Sequence, residues 1–149
     1  MIKKLAQWFE QRRFRRWALR QGLSESCVEQ LIVVAASPEE MKAAYDAIMP
    51  PPPIYPLRSI RAEHESDPMD VAPAKYGFLI VGTCPNGDPI AVDLRDDVGS
   101  VWYLAHELMH EAPPLRSIAI RVADDVYDFV DGLAHRDGFP IDYFQAKQS

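Results

Sequence analysis

The chain is poor in features that mark several large classes of protein. Only two of its 149 residues are cysteines, Cys27 and Cys84. Two cysteines make no disulfide framework, and neither stands in a paired metal-ligand spacing, so a reducing compartment is the simplest setting. Long apolar runs are missing too. The longest fully apolar stretch, Leu31 to Ala36, falls far short of the roughly 20 residues that a membrane-crossing helix needs. Where a secretory leader would carry its apolar segment stand Glu10 and five arginines. The expectation is a protein that stays in the cytoplasm, where it is made. Phosphate-binding glycine loops, zinc-cysteine patterns and internal repeats do not occur, and the only low-complexity segment is Pro50-Pro51-Pro52-Pro53.

What remains is an ordinary globular composition, 48% hydrophobic and 26% charged. A chain of 149 residues has the length of one domain, 1–149. A domain of that size buries about 68–70% of its unfolded surface and folds without staples. The net charge of −6 conceals an asymmetry. Lys3, Lys4, Arg12, Arg13, Arg15, Arg16 and Arg20 stand against Glu10 alone, so residues 1–20 carry +6 and the rest carries −12. A body of that sign repels nucleic acid and attracts a basic protein.

Residues 1–22 read as a basic N-terminal helix ended by Gly22. Its apolar residues, Ile2, Leu5, Trp8, Phe9, Phe14 and Trp17, do not fall on one narrow stripe. A second helix is expected from the cap Ser24 to Ala36, with Leu31, Ile32 and Val33 inward. A third opens at Ser37-Pro38-Glu39-Glu40 and stops at the proline run. Ile54 to Ala74 reads as irregular. Then the period changes. Tyr76–Thr83 is a β-rich run, Pro85-Asn86-Gly87-Asp88 is a hairpin turn, and Ile90 to Leu94 alternates inward and outward. A second turn at Arg95–Gly99 leads to a strand from Ser100, and Ile118–Val122 forms a fourth. A helix over Ala123–Ala134 closes the order, with Val126, Phe129, Val130 and Leu133 on one face. Helices, then an antiparallel or mixed sheet of about four to six strands, then a helix, is an α+β order.

One motif invites an enzyme reading. His106-Glu107-Leu108-Met109-His110 matches H-E-x-x-H, in which two helical histidines bind Zn²⁺ and the Glu serves as general base. Against it, Val101-Trp102-Tyr103-Leu104 favours a strand running to about Glu107, and Pro113 limits any helix to about two turns. Catalytic zinc also needs a third protein ligand, and neither His135 nor the acids from Asp124 to Asp131 follow a ligand pattern. The basic helix raises a second question. Its charges do not segregate to one face, so packing on the core outweighs membrane-surface or nucleic-acid binding. Asp124, Asp125, Asp128 and Asp131 read as a solvated face, the first two at a helix N-terminus where negative charge is stabilising.

Residues 76–134 hold an ordered series: Phe78-Leu79-Ile80-Val81-Gly82, Asn86-Gly87-Asp88, Ile90-Ala91-Val92-Asp93-Leu94, and Gly99-Ser100-Val101-Trp102-Tyr103 leading to His106-Glu107. Ile120-Arg121-Val122-Ala123 then introduces the segment with Asp128-Phe129-Val130 and Leu133. In order and spacing the series resembles the SUKH superfamily, which includes bacterial immunity proteins and a yeast regulator of cell-wall glucan synthesis. Met1 to Gly22 has no counterpart in that pattern. The resemblance implies a sheet with helices packed on it, no catalysis, and neutralisation of a cognate toxin, often a basic nuclease. His106-Glu107 would then close the third strand, and no catalytic residue, metal or cofactor is expected. The acids expected at the partner surface are Glu65, Asp67, Asp96, Asp97, Glu107 and Glu111. The alternatives are a small zinc metallopeptidase on residues 106–110 and a regulatory protein-interaction module.

Overall fold

The computed structural model describes residues 2–36, 54–65, 77–110 and 113–149. Helix α1 spans Ile2–Gln21. It ends in a backbone lock that only Gly22 makes easy: with φ at 109°, Gly22 N–H donates to the Leu19 carbonyl at 3.1 Å and Leu23 N–H to the Ala18 carbonyl at 3.2 Å. Helix α2, Glu25–Ala36, starts where Ser24 Oγ accepts the Cys27 N–H at 3.2 Å, so the expected cap forms. Cys27, Val28, Leu31 and Val34 define its inner face. Val33, expected inward, is 48% exposed, because the helical period carries it away from that face. The third helix expected from Ser37 lies outside the described residues.

A different helix stands where an irregular segment was expected. Helix α3, Leu57–Glu65, puts Leu57 and Ile60 into the core one turn apart. The chain leading into it already belongs to the sheet edge: Ile54 bridges Gly82, and Tyr55 N–H donates to the Val81 carbonyl at 2.8 Å. His64 completes the cover by accepting the Ile80 N–H on Nε2 at 2.8 Å, with its ring 5.8 Å from that of Trp17. The polar run around Glu63 hid two inward positions three residues apart.

The sheet has the order β1-β2-β3-β4, antiparallel throughout, with β1 Phe78–Thr83, β2 Pro89–Asp93, β3 Val101–Leu104 and β4 Ala119–Ala123. The first turn is the expected hairpin, with Gly87 at φ 97° and Cys84 N–H donating to the Asp88 carbonyl at 2.8 Å. The expected alternation in the second strand fails: Ile90, Ala91, Val92 and Asp93 are all buried, as are Phe78 and Leu79 next to one another. Side chains alternate across a sheet, so successive buried residues mean both faces are covered. Among the apolar side chains of these strands and the closing helix, Phe78, Val92, Phe129 and Leu133 are buried, while Ile80, Leu94 and Val130 are half-buried.

Beyond β3 the sequence reading needs two corrections. The strand stops at Leu104, short of Glu107, and residues 106–109 form a helical turn, α4 (His106–Met109). A 3₁₀ turn at Leu115–Ile118 then precedes β4. The closing helix, α5 Val126–His135, begins later than Ala123 because Asp125 caps it, accepting the Asp128 N–H at 2.7 Å. A further helix, α6 Tyr143–Gln148, follows. Its start is written locally: Asp142 accepts the Gln145 N–H at 2.9 Å, and Gln145 Oε1 takes the Ile141 N–H at 3.2 Å. Both α5 and α6 pack on β4, α2 packs on α5, and α3 packs on β1 and α1. Together these make one α+β domain of helices around a four-stranded sheet.

Phe129 is the test of that packing. It is fully buried, with ring centroids 5.9 Å from Tyr103 and 6.1 Å from Phe139. Phe139 in turn occupies the space that a Cβ at Gly132 would need. Phe129→Ala should cost about 3–5 kcal/mol in urea unfolding. A loss under about 0.5 kcal/mol would mean that α5 does not pack on the sheet in this way.

Candidate functional site

Two buried aspartates organise the two ends of the central hairpin. Asp93 closes β2 with no solvent exposure. Its Oδ1 accepts the Arg95 N–H at 2.9 Å and the Asp96 N–H at 3.3 Å, and its Oδ2 accepts the Asp97 N–H at 3.1 Å. Arg116 adds two charge-assisted bonds, Nη2 to Oδ1 at 2.7 Å and Nη1 to Oδ2 at 3.2 Å. The guanidinium lies 4.3 Å over the Phe78 ring and also donates to the Gly77 carbonyl at 3.3 Å. Burial works to raise the Asp93 pKa, but the Arg116 side chain and the three backbone N–H groups outweigh it and bring it down to about 2.

This turn carries Asp96 and Asp97, both exposed. They are also paired: Asp96 with Arg116 at 3.2 Å and with Arg95 at 3.4 Å, and Asp97 with Arg121 at 3.0 Å. Arg121 reaches on to Asp124 at 2.8 Å. The result is a surface lattice of alternating sign, with Val98 beside it 44% exposed. Glu107 is exposed on α4, but it follows β3 whereas Asp97 precedes it, so the strand sets them at opposite ends of the sheet. Glu65 is the last residue of α3; Asp67 and Glu111 lie outside the described residues. The six acids therefore do not share a single described patch.

The second aspartate, Asp88, takes hold of the segment that carries the zinc-like motif. Also without solvent exposure, it accepts from Asn86 Nδ2 at 2.9 Å, His106 N at 3.1 Å, His106 Nδ1 at 2.6 Å and Tyr143 N at 3.0 Å. A carboxylate only accepts, so His106 carries its proton on Nδ1. Burial would raise the Asp88 pKa; the hydrogen bonds from His106, Asn86 and Tyr143 overcome it and lower it. His106 thus fastens the end of β3 to the first hairpin, and its ring lies where a Cβ added at Gly87 would touch it. His110 ends α4 and is exposed. Among the described residues no group of three or more His, Cys, Asp or Glu side chains is arranged to hold a metal ion. Both cysteines are buried, and burial pushes the Cys27 thiol up to about 12 and Cys84 upward as well, which keeps both protonated rather than nucleophilic.

The sequence reading missed Asp88, Asp93 and Arg116 as organisers. The available signal was an Asp at each end of one apolar segment, Pro89 to Val92, where a charge must be satisfied locally if the strand is buried. The chain matches no family model, no curated protein and no solved structure.

Two outcomes follow. Folding favours ionised Asp93, whose pKa falls from about 3.9 in an unfolded chain to about 2 here, so its stabilisation is complete above pH 4 and is lost as pH falls through 2. That window is worth about 2–3 kcal/mol. Urea midpoints between pH 5 and pH 2 should drop steeply in the wild type, whereas Asp93→Asn should be less stable at pH 5 and show a flatter acid limb. For the motif at 106–110, elemental analysis of purified protein should find no stoichiometric zinc. About one zinc per chain, lost in His110→Ala, would instead establish the metal site.

Proposed function

We propose that this chain is a non-catalytic binding domain of the immunity type, similar to the SUKH superfamily in the order of its motifs, that neutralises a basic cognate toxin such as a nuclease. One observation carries the reading. The polar groups that would be suspected of chemistry, Asp88, Asp93, His106 and Arg116, are consumed in bonds that shape turns. A domain whose buried charges build turns offers a rigid scaffold for presenting a surface. The −12 charge outside residues 1–20 supplies the long-range attraction for a cationic partner. The turn at Asp96-Asp97-Val98 supplies exposed acids beside an exposed apolar side chain. Arg116 and Arg121 already pair with those acids. A toxin's lysines and arginines would compete with them, which makes the turn a specificity filter more than a source of raw affinity. A regulatory module with another basic partner would use the same surface.

The test is co-expression with a toxin encoded beside this gene, scored by survival, together with association rates at low and high salt. Wild type should protect, and Asp96→Asn with Asp97→Asn should slow association at low salt by about threefold or more, with little difference at high salt. Its melting temperature should barely move, because exposed pairs contribute only about 0.2–1 kcal/mol each. A double variant that binds like wild type moves the interface elsewhere. A wild type that binds no adjacent toxin ends the immunity reading.

A further inference from the structure

We propose that the N-terminal half of α1 is a peripheral anchor for the surface of an anionic phospholipid bilayer. The helix divides into two halves with different faces. In the second half Phe14, Trp17 and Ala18 are buried against the body. In the first half Ile2 is 86% exposed, Leu5 57%, Trp8 47% and Phe9 51%. At about 100° per residue, Ile2, Leu5 and Phe9 share one side of the helix, which Arg12, Arg16 and Arg20 continue, while Phe14, Trp17 and Ala18 point elsewhere. The sequence pattern showed no single stripe because two apolar stripes lie on different sides. The charges stay spread around the helix, but the exposed apolar side of its first half is distinct from the side that packs on the body.

The charges fit the same occupant. Among the described residues Lys3, Lys4, Arg12, Arg13 and Arg16 form no ion pair, in contrast to Arg15, which pairs with Glu29. The Arg12 guanidinium lies 4.8 Å from the centre of the Trp8 ring, so an aromatic and a cation sit together at the level where a bilayer meets water. A cleft of about 440 Å³ between α1 and α3 is lined by Phe9, Phe14 and Leu57 with Arg13, Arg58 and Arg61, against one acid, Glu10. Apolar walls with the guanidinium groups of Arg13 and Arg58 suit a lipid phosphate and the start of its acyl chain. Nucleic acid would use the arginines and stack on Trp8, but Ile2 and Leu5 gain from hydrocarbon and not from a phosphate backbone. No helix among the described residues is long and apolar enough to cross a membrane. Contact is therefore at the surface, with the −12 body repelled by the lipid charge and held outward. This inference rests on α1 and not on the toxin reading.

The full chain should float with vesicles of equal parts phosphatidylcholine and phosphatidylglycerol, and not with phosphatidylcholine alone. Tryptophan emission should shift to the blue on binding, and Trp8→Phe should abolish most of that shift while retaining flotation, since Trp17 is already buried. Leu5→Glu with Phe9→Glu should weaken binding about tenfold or more, at an unchanged melting temperature because both side chains are exposed. Arg12→Gln with Arg16→Gln should weaken it and flatten its salt dependence. Failure of the wild type to float with the mixed vesicles overturns the proposal. So does equal binding by the Leu5→Glu, Phe9→Glu variant, or displacement from the vesicles by duplex DNA or RNA.

Discussion

Ionised Asp93 sits at the end of a strand that is buried on both sides, and a charge there is tolerable only if every lone pair finds a donor. Three successive backbone N–H groups and the Arg116 fork supply them. Much follows from that one satisfied carboxylate. It folds the second turn back on itself, which sets the register of β2 against β3. It draws the segment before β4 across to Phe78, because the guanidinium must reach both the carboxylate and the ring. A neutral or missing partner at either end would leave a buried charge, which is far costlier than a lost surface pair.

Asp88 applies the same device at the opposite end of the hairpin. There it binds three separate parts of the chain: its own turn through Asn86, the end of β3 through His106, and the start of α6 through Tyr143. His106, which opens the motif that looks catalytic in the sequence, is thereby held to Asp88 through both its backbone N–H and its ring. A carboxylate–imidazole pair is also how many metal ligands are oriented, so the pattern alone is ambiguous. Here the described residues place no third ligand beside it.

The charge distribution divides the described surface into two regions of different character. On the sheet side, acids alternate with arginines around the Asp96-Asp97 turn. On the α1 side, unpaired cations border exposed apolar residues. The proposed toxin surface and the proposed bilayer surface draw on opposite signs and on separate elements, so both can be occupied in one molecule.

What the sequence determined by itself was governed by near neighbours. The α+β order, the lock at Gly22, the cap at Ser24 and the turn at Asn86-Gly87 each depend on residues within a few positions of one another, and each is legible in the chain. The asymmetry of charge was legible too, being a sum. What only the tertiary structure decided depends on partners far apart. Whether β1 and β2 bury one face or both was settled by helices elsewhere in the chain, and α3 was recognisable only once the sheet edge that it covers was in place. The length of β3 was set by Asp88, eighteen positions before His106, and the pairing of Asp96 and Asp97 by Arg116 and Arg121, which approach from beyond the next strand. A side chain's local pattern states its preference, but its partner is chosen by whichever element the fold brings beside it.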